Sequence, residues 1–234
     1  MYSLPRKLLA EFLGTFSVVF LASGVFCSGQ ALSAAGMTRD PWLVPSLAYG
    51  LAVAIAVTSV GHISGGHLNP AVTIAFWVTK RFTTLQSLLY WFAQLLGALA
   101  AAFLLTAIFP DAIWRPVALG TPAVAAPDFT RIHAMGLEAA LTFLLVFVFL
   151  ATCADAKGAF NKIAGFAVGL TVTLDVLVGG PFTGASMNPA RSFGPALVSH
   201  QWMNHGVYWV GPLFGGVLAG VIYDRAFLRD QPPV

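Results

Sequence analysis

His62-Ile63-Ser64-Gly65-Gly66-His67-Leu68-Asn69-Pro70-Ala71 and Pro181-Phe182-Thr183-Gly184-Ala185-Ser186-Met187-Asn188-Pro189-Ala190 are two versions of one passage. Asn is a favoured helix N-cap and Pro is favoured at the first helical position. Asn69-Pro70-Ala71 and Asn188-Pro189-Ala190 therefore each predict the start of a helix. The apolar stretches that follow, residues 70–79 and 189–198, are too short to cross hydrocarbon, which takes about 20 residues. Loop backbone survives at membrane depth only when buried in protein or lining a water-filled cavity. The pair thus predicts two half-helices that enter from opposite faces and meet near the centre, positive dipole ends together. A lone Asn-Pro is most often a turn or an ordinary helix start. Two copies at matched places, each after a Gly-containing approach, point to a pore. Arg191 follows the second copy, and a charge inside a membrane segment is a functional candidate by default.

The surrounding chain agrees with lipid as the main solvent. Of 234 residues 58% are hydrophobic and only 9% charged, where a soluble domain carries about 25% charged residues; the mean hydropathy is +0.81. Six long apolar segments stand out, at about 8–30, 44–61, 85–109, 134–153, 163–179 and 207–227. The expected fold is an all-α membrane protein, a single domain over 1–234 with six transmembrane helices plus two re-entrant half-helices. Ala10-Glu11-Phe12-Leu13-Gly14-Thr15-Phe16 resembles Leu137-Glu138-Ala139-Ala140-Leu141-Thr142-Phe143, so each half opens on a helix bearing a Glu. Repeat one covers about 1–110 and repeat two about 128–234, separated by an Ala- and Pro-rich loop. Three spans per half make the second enter from the opposite face, which gives an inverted repeat. Gly165/Gly169, Gly211/Gly215 and Gly216/Gly220 have the spacing of close helix crossings.

Charge orients the bundle. With both termini cytoplasmic, Arg6, Lys7, Lys80, Arg81, Lys157, Lys162, Arg225 and Arg229 lie inside, against Arg39, Arg115, Arg131 and Arg191 outside. All four lysines fall inside, as the positive-inside rule requires. The first segment is too long for a signal peptide. A net charge of +3 is no nucleic-acid signal. Cys27 and Cys153 lack metal-ligand spacing and are expected to pack. No nucleophile–base pair or metal site is expected, hence no catalytic residue, no cofactor and no enzyme.

At these residues the chain resembles the aquaporin, or major intrinsic protein, family. The resemblance spans essentially the whole chain and is strongest over 59–73 and 184–196. It implies a homotetramer in membrane lipid with one pore per subunit, passing water. Water would be oriented by the Asn69 and Asn188 amides, and half-helix dipoles and an Arg would repel protons and cations, as the established account of aquaporin-type pores has it. Glu11 and Glu138 would hold the re-entrant loops, and His67 would line the inner half of the pore. Ser192, Ala196 and Tyr208-Trp209 are similar to the water branch rather than the glycerol facilitators. The family's outer constriction maps onto Tyr49, Val176, Ala185 and Arg191. Orthodox water channels usually have Phe, His, a small polar or Cys residue, and Arg there. Val176 and Ala185 remove side-chain donors, which implies a wider, less polar filter that also passes small neutral solutes. This set, with 182–189, is similar to plant tonoplast channels. The alternatives are a channel mainly for ammonia, glycerol, urea or hydrogen peroxide, and a non-transporting structural membrane protein. Short loops and termini resemble bacterial members, so a bacterial inner membrane is the expected location. Asp175 should turn away from the pore, one helical step of about 100° from Val176.

Overall fold

The computed structural model describes residues 2–38, 40–125, 128–158 and 163–228. Every regular element among them is helical: α1 (Leu4–Ala34), α2 (Leu43–Ser64), α3 (Pro70–Val78), α4 (Thr84–Ile108), α5 (Asp111–Trp114), α6 (Arg131–Phe149), α7 (Ala164–Thr183), α8 (Pro189–Ser199) and α9 (Val207–Tyr223). π-turns extend α6 through Ala154 and α9 through Leu228. Six helices are long and apolar enough to cross a membrane. They are the six expected ones, but several run past the apolar segments, α1 by four residues at each end. Hydropathy marks only what hydrocarbon immerses; backbone hydrogen bonds continue wherever a cap has not stopped them. Thr83 and Gln86 form a reciprocal capping box that starts α4, a device that contributes about 1 kcal/mol. Arg39, Lys162 and Arg229 lie outside the described residues.

The two halves are built alike. In the first, α4 lies along α1 with Gly97 against the Phe12 carbonyl. In the second, α9 lies along α6 with Gly215 against the Ala139 carbonyl. The halves join where α2 crosses α7, and there a Cβ on Gly169 would collide with the Gly50 carbonyl and Ala54. Gly216 and Gly220 bring α9 onto Ala71 and Ala75 of the half-helix α3. Lipid tails are as apolar as Leu, so contact between backbones rather than hydrophobic expulsion holds such crossings together. Ile55, Phe92, Leu174 and Phe214 point outward and are exposed, while Glu11, Gln94, Glu138 and Arg191 are buried. The polar residues therefore face inward, where the loops and the pore are.

The crossing makes a direct prediction. Gly169→Val will force α2 and α7 apart, at a cost of about 1–3 kcal/mol or more. Gly136→Val, where an added Cβ meets nothing within 4 Å, will be neutral. Thermal unfolding of the two variants in detergent checks this, and equal melting temperatures would refute the role given to Gly169.

Candidate functional site

Each half-helix is reached through a loop whose backbone runs left-handed. The φ angles are 93°, 65° and 51° at Gly65, Gly66 and Leu68, and 79°, 44° and 54° at Gly184, Ala185 and Met187. A non-glycine residue held there costs about 1–2 kcal/mol. Two carboxylates offset that cost. Glu11 Oε1 accepts from Ser64 Oγ (2.7 Å) and His67 N (3.0 Å), and Oε2 from Leu68 N (2.7 Å) and Gln94 Nε2 (2.7 Å). Glu138 Oε1 accepts from Thr183 Oγ1 (2.7 Å) and Ser186 N (2.9 Å), and Oε2 from Met187 N (2.8 Å). Tyr90 and Tyr208 close each loop from outside, donating to the Ser64 and Thr183 carbonyls at 2.8 Å. The halves differ at one point: four residues beyond Tyr208 stands Pro212 instead of a counterpart to Gln94. Glu138 therefore has one donor fewer.

At the tips of the half-helices the two Asn side chains do three things. Asn69 Oδ1 caps α3 by accepting from Ala71 N (2.8 Å). Asn188 Oδ1 caps α8 by accepting from Ala190 N (3.0 Å) and Arg191 N (3.3 Å). The amide groups then cross: Asn69 Nδ2 donates to the Met187 carbonyl (2.9 Å) and Asn188 Nδ2 to the Leu68 carbonyl (3.0 Å). An amide NH₂ carries two hydrogens. One of each is thus spent tying the two halves together, and one of each is left for the pore. Pro70, Pro189, Ala71 and Ala190 are buried at the first turn of each half-helix.

Both Asn residues line a neck of about 20 Å³, together with Tyr49, His67, Leu68 and a wall of Val, Leu and Phe side chains. A cavity needs roughly 10–15 Å³ to hold one water. The neck therefore admits molecules singly. His67 borders both the neck and a larger cavity on the face that carries Leu4 and Tyr223. Its Nδ1 is 3.1 Å from Thr73 Oγ1, and its ring packs against Phe76 (4.4 Å) and Phe82 (4.8 Å).

Tyr49, Val176 and Ala185 belong to one buried cluster. The guanidinium of Arg191 stands 5.6 Å from the centroid of the Tyr49 ring. The Tyr49 hydroxyl donates to the Ser186 carbonyl at 2.8 Å, which fixes the ring against the second loop. Arg191 is held by the Gly120 carbonyl, to which Nη1 donates at 2.7 Å. Its Nε has no partner though buried. Gly120 belongs to a short 3₁₀ turn, Ala118–Gly120, in the segment the sequence presents only as a connecting loop. Gly120-Thr121-Pro122 was the available signal, since Gly followed shortly by Pro marks a turn; nothing in it announces a turn folded back onto Arg191. Gln94, Tyr90, Ser64 and Thr183 were likewise missed, because their function appears only when four helices meet at one loop.

Asp175 lies on α7 beside Val176. It shares a face of α7 with Gly179, which packs on Leu141 of α6. It is buried, and its Oδ2 has no donor. Cys27 packs with Leu105 and Trp114, and Cys153 borders the larger cavity.

A bundle of six spans around two opposed half-helices, with a narrow neck between their tips that both Asn side chains line, is the build of a membrane channel. The chain matches the family described as Major intrinsic protein over residues 1–223, and it belongs to that family. It is 45% identical to "Aquaporin TIP4-4" of Zea mays, over 96% of this chain and 88% of the relative. It is 42% identical to "Probable aquaporin TIP3-2" of Arabidopsis thaliana, over 97% of this chain and 86% of the relative. The X-ray structure of the aquaglyceroporin from Plasmodium falciparum superposes with a TM-score of 0.85 at 26% identity, covering 97% and 98% of the two chains. The protein is an integral, multi-pass membrane protein. The bacterial origin suggested by its short loops is not borne out, since these relatives are plant proteins. Short loops are what closely packed antiparallel spans require in any organism, so they carry no information on source.

Proposed function

We propose that this chain is a passive water channel, and not an enzyme, whose filter also admits small neutral solutes. The observation that carries the reading is the crossed Asn pair, with one N–H left on each amide at the tips of two opposed half-helices in a neck one water wide. A water there accepts from both amides, so its lone pairs are occupied and it passes no proton along the file. The paired positive dipole ends add a barrier to cations. Arg191 adds another, and Tyr49, Val176 and Ala185 set the width. The names of the relatives point the same way. Glu11 and Glu138 hold the loops, and His67 lines the pore beyond the neck.

The single domain over 1–234 is taken as two repeats of about 1–110 and 128–234. Cytoplasmic termini are part of this proposal, and the four lysines on one side of the predicted spans support them. A homotetramer, each chain with its own pore, is the proposed assembly. The test is stopped-flow osmotic permeability and solute uptake in the same proteoliposomes: water flux well above empty vesicles, with measurable ammonia, hydrogen peroxide or glycerol uptake. Water flux alone would remove the wider-filter half of the proposal. A non-transporting structural role requires no water flux. Val176→His adds bulk and a ring donor beside Tyr49 and will lower solute uptake by about tenfold, a cost of about 1.4 kcal/mol, while water flux persists. Unchanged uptake would remove Val176 from the filter.

A further inference from the structure

On the face carrying Leu4 and Tyr223 the neck opens into a cavity of about 570 Å³. Its lining is electrostatically one-sided. Among the described residues, Lys7 is the only permanently charged one in the wall, and none of the lining residues is a carboxylate. Both ion pairs among the described residues lie elsewhere, Arg81 with Asp224 and Arg115 with Asp111, so no described carboxylate sits on the Lys7 ammonium. A lysine at this end of a span is also what the positive-inside rule calls for. Lys7 differs in bordering a partly open mouth that a small molecule can enter. The deep side of the same cavity is aromatic, with Phe76, Phe82 and Phe149 packed around His67 at ring distances of 4.4, 4.8 and 5.9 Å. At the rim His62 meets Tyr2 at 6.0 Å.

Water and small neutral solutes have no use for a lone cation over an aromatic floor. A cleft lined by one sign of charge with low-dielectric walls raises the local concentration of the opposite ion. The volume is in the range of small-molecule pockets, far above the neck of about 20 Å³ beyond it, so an occupant of that size stays in the mouth. We propose that this cavity binds a small aromatic organic anion, with its carboxylate or sulfonate on Lys7 and its ring among Phe76, Phe82 and Phe149, and that occupancy closes the pore from this face. The binding site stands on the cavity and its charge alone, whereas the closure rests on the channel function proposed above.

The probes are 1-naphthalenesulfonate, followed by its own fluorescence on the purified channel, and benzenesulfonate sealed inside proteoliposomes. Saturable binding of one probe per chain is expected, weakened about tenfold in Lys7→Gln and retained in Lys7→Arg. Sealed benzenesulfonate will lower the osmotic permeability of wild type, the neutral benzenesulfonamide will not, and Lys7→Gln will conduct water with and without the probe. No binding, equal binding in Lys7→Gln, or binding that leaves flux in a conducting channel untouched would each overturn the proposal. Lys7-dependent binding to a chain that conducts no water upholds the site and overturns the channel function instead.

Discussion

Glu138→Ala will yield little folded protein, and what is recovered will have lost the second half of the pore. The substitution strands Thr183 Oγ1, Ser186 N and Met187 N, all of which donate to this carboxylate. Each buried donor left unpaired costs about 1–3 kcal/mol. Three such donors amount to roughly 3–9 kcal/mol, set against a total stability of about 5–15 kcal/mol for a typical fold. The left-handed backbone at Ala185 and Met187 (φ 44° and 54°) then loses its carboxylate and keeps the bonds to its carbonyls from Tyr208, Tyr49 and Asn69. Glu138→Gln keeps the volume and one acceptor but turns an N–H toward donors, so it will fall between wild type and alanine. Glu11→Ala strands four donors and will behave similarly. Monodisperse yield and melting temperature in detergent measure this. A Glu138→Ala protein with wild-type stability and water flux would remove the carboxylate from its structural role.

Arg191→Val will raise cation and proton leak through the pore. The guanidinium is buried, spends one N–H on the Gly120 carbonyl and stands 5.6 Å from the Tyr49 ring. A unit charge crossing about 5 Å from it, at an effective dielectric of 20, meets a repulsion of roughly 3 kcal/mol. Removing that barrier is worth about a hundredfold in cation or proton flux, at 1.4 kcal/mol per decade. Water flux will change little, because the two Asn amides and the neck are untouched. Arg191→Lys keeps the charge but not the planar fork that reaches Gly120, so it will leak less than Val while loosening the segment around that turn. Acidification of dye-loaded proteoliposomes under an imposed pH gradient reads the leak. Equal leak rates for wild type and Arg191→Val would place the proton barrier entirely at the Asn pair.

Much of this protein follows from local pattern. Six apolar runs, two short ones and the doubled Asn-Pro-Ala passage contain the fold, because in lipid every backbone group must be satisfied within a helix or a buried loop. Asn before Pro starts a helix whatever surrounds it, which is why α3 and α8 begin where the sequence says. The glycine pairs announced the crossings because close approach needs the absence of a side chain, and that is visible residue by residue. The Glu in each first span was recognisable as a buried charge in need of partners.

What only the tertiary structure decided is where the hydrogen bonds go. The sequence implied that the Asn amides face the pore; the fold shows each amide divided between the opposite loop and the neck. It implied an arginine at the filter; the fold adds the Gly120 carbonyl, brought back from a segment that looked like a plain connection. The tyrosine hydroxyls that close the loops, the Gln94 amide that only the first half possesses, and the one-sided mouth around Lys7 also come from distant positions. The physical reason is the same in each case. Helix, cap and span are decided within a few residues by backbone sterics and transfer from water to lipid. A hydrogen-bond partner is decided by which atoms packing brings within 3 Å, and residues as far apart as Asn69 and Met187 acquire that relation only once the two halves have closed on each other.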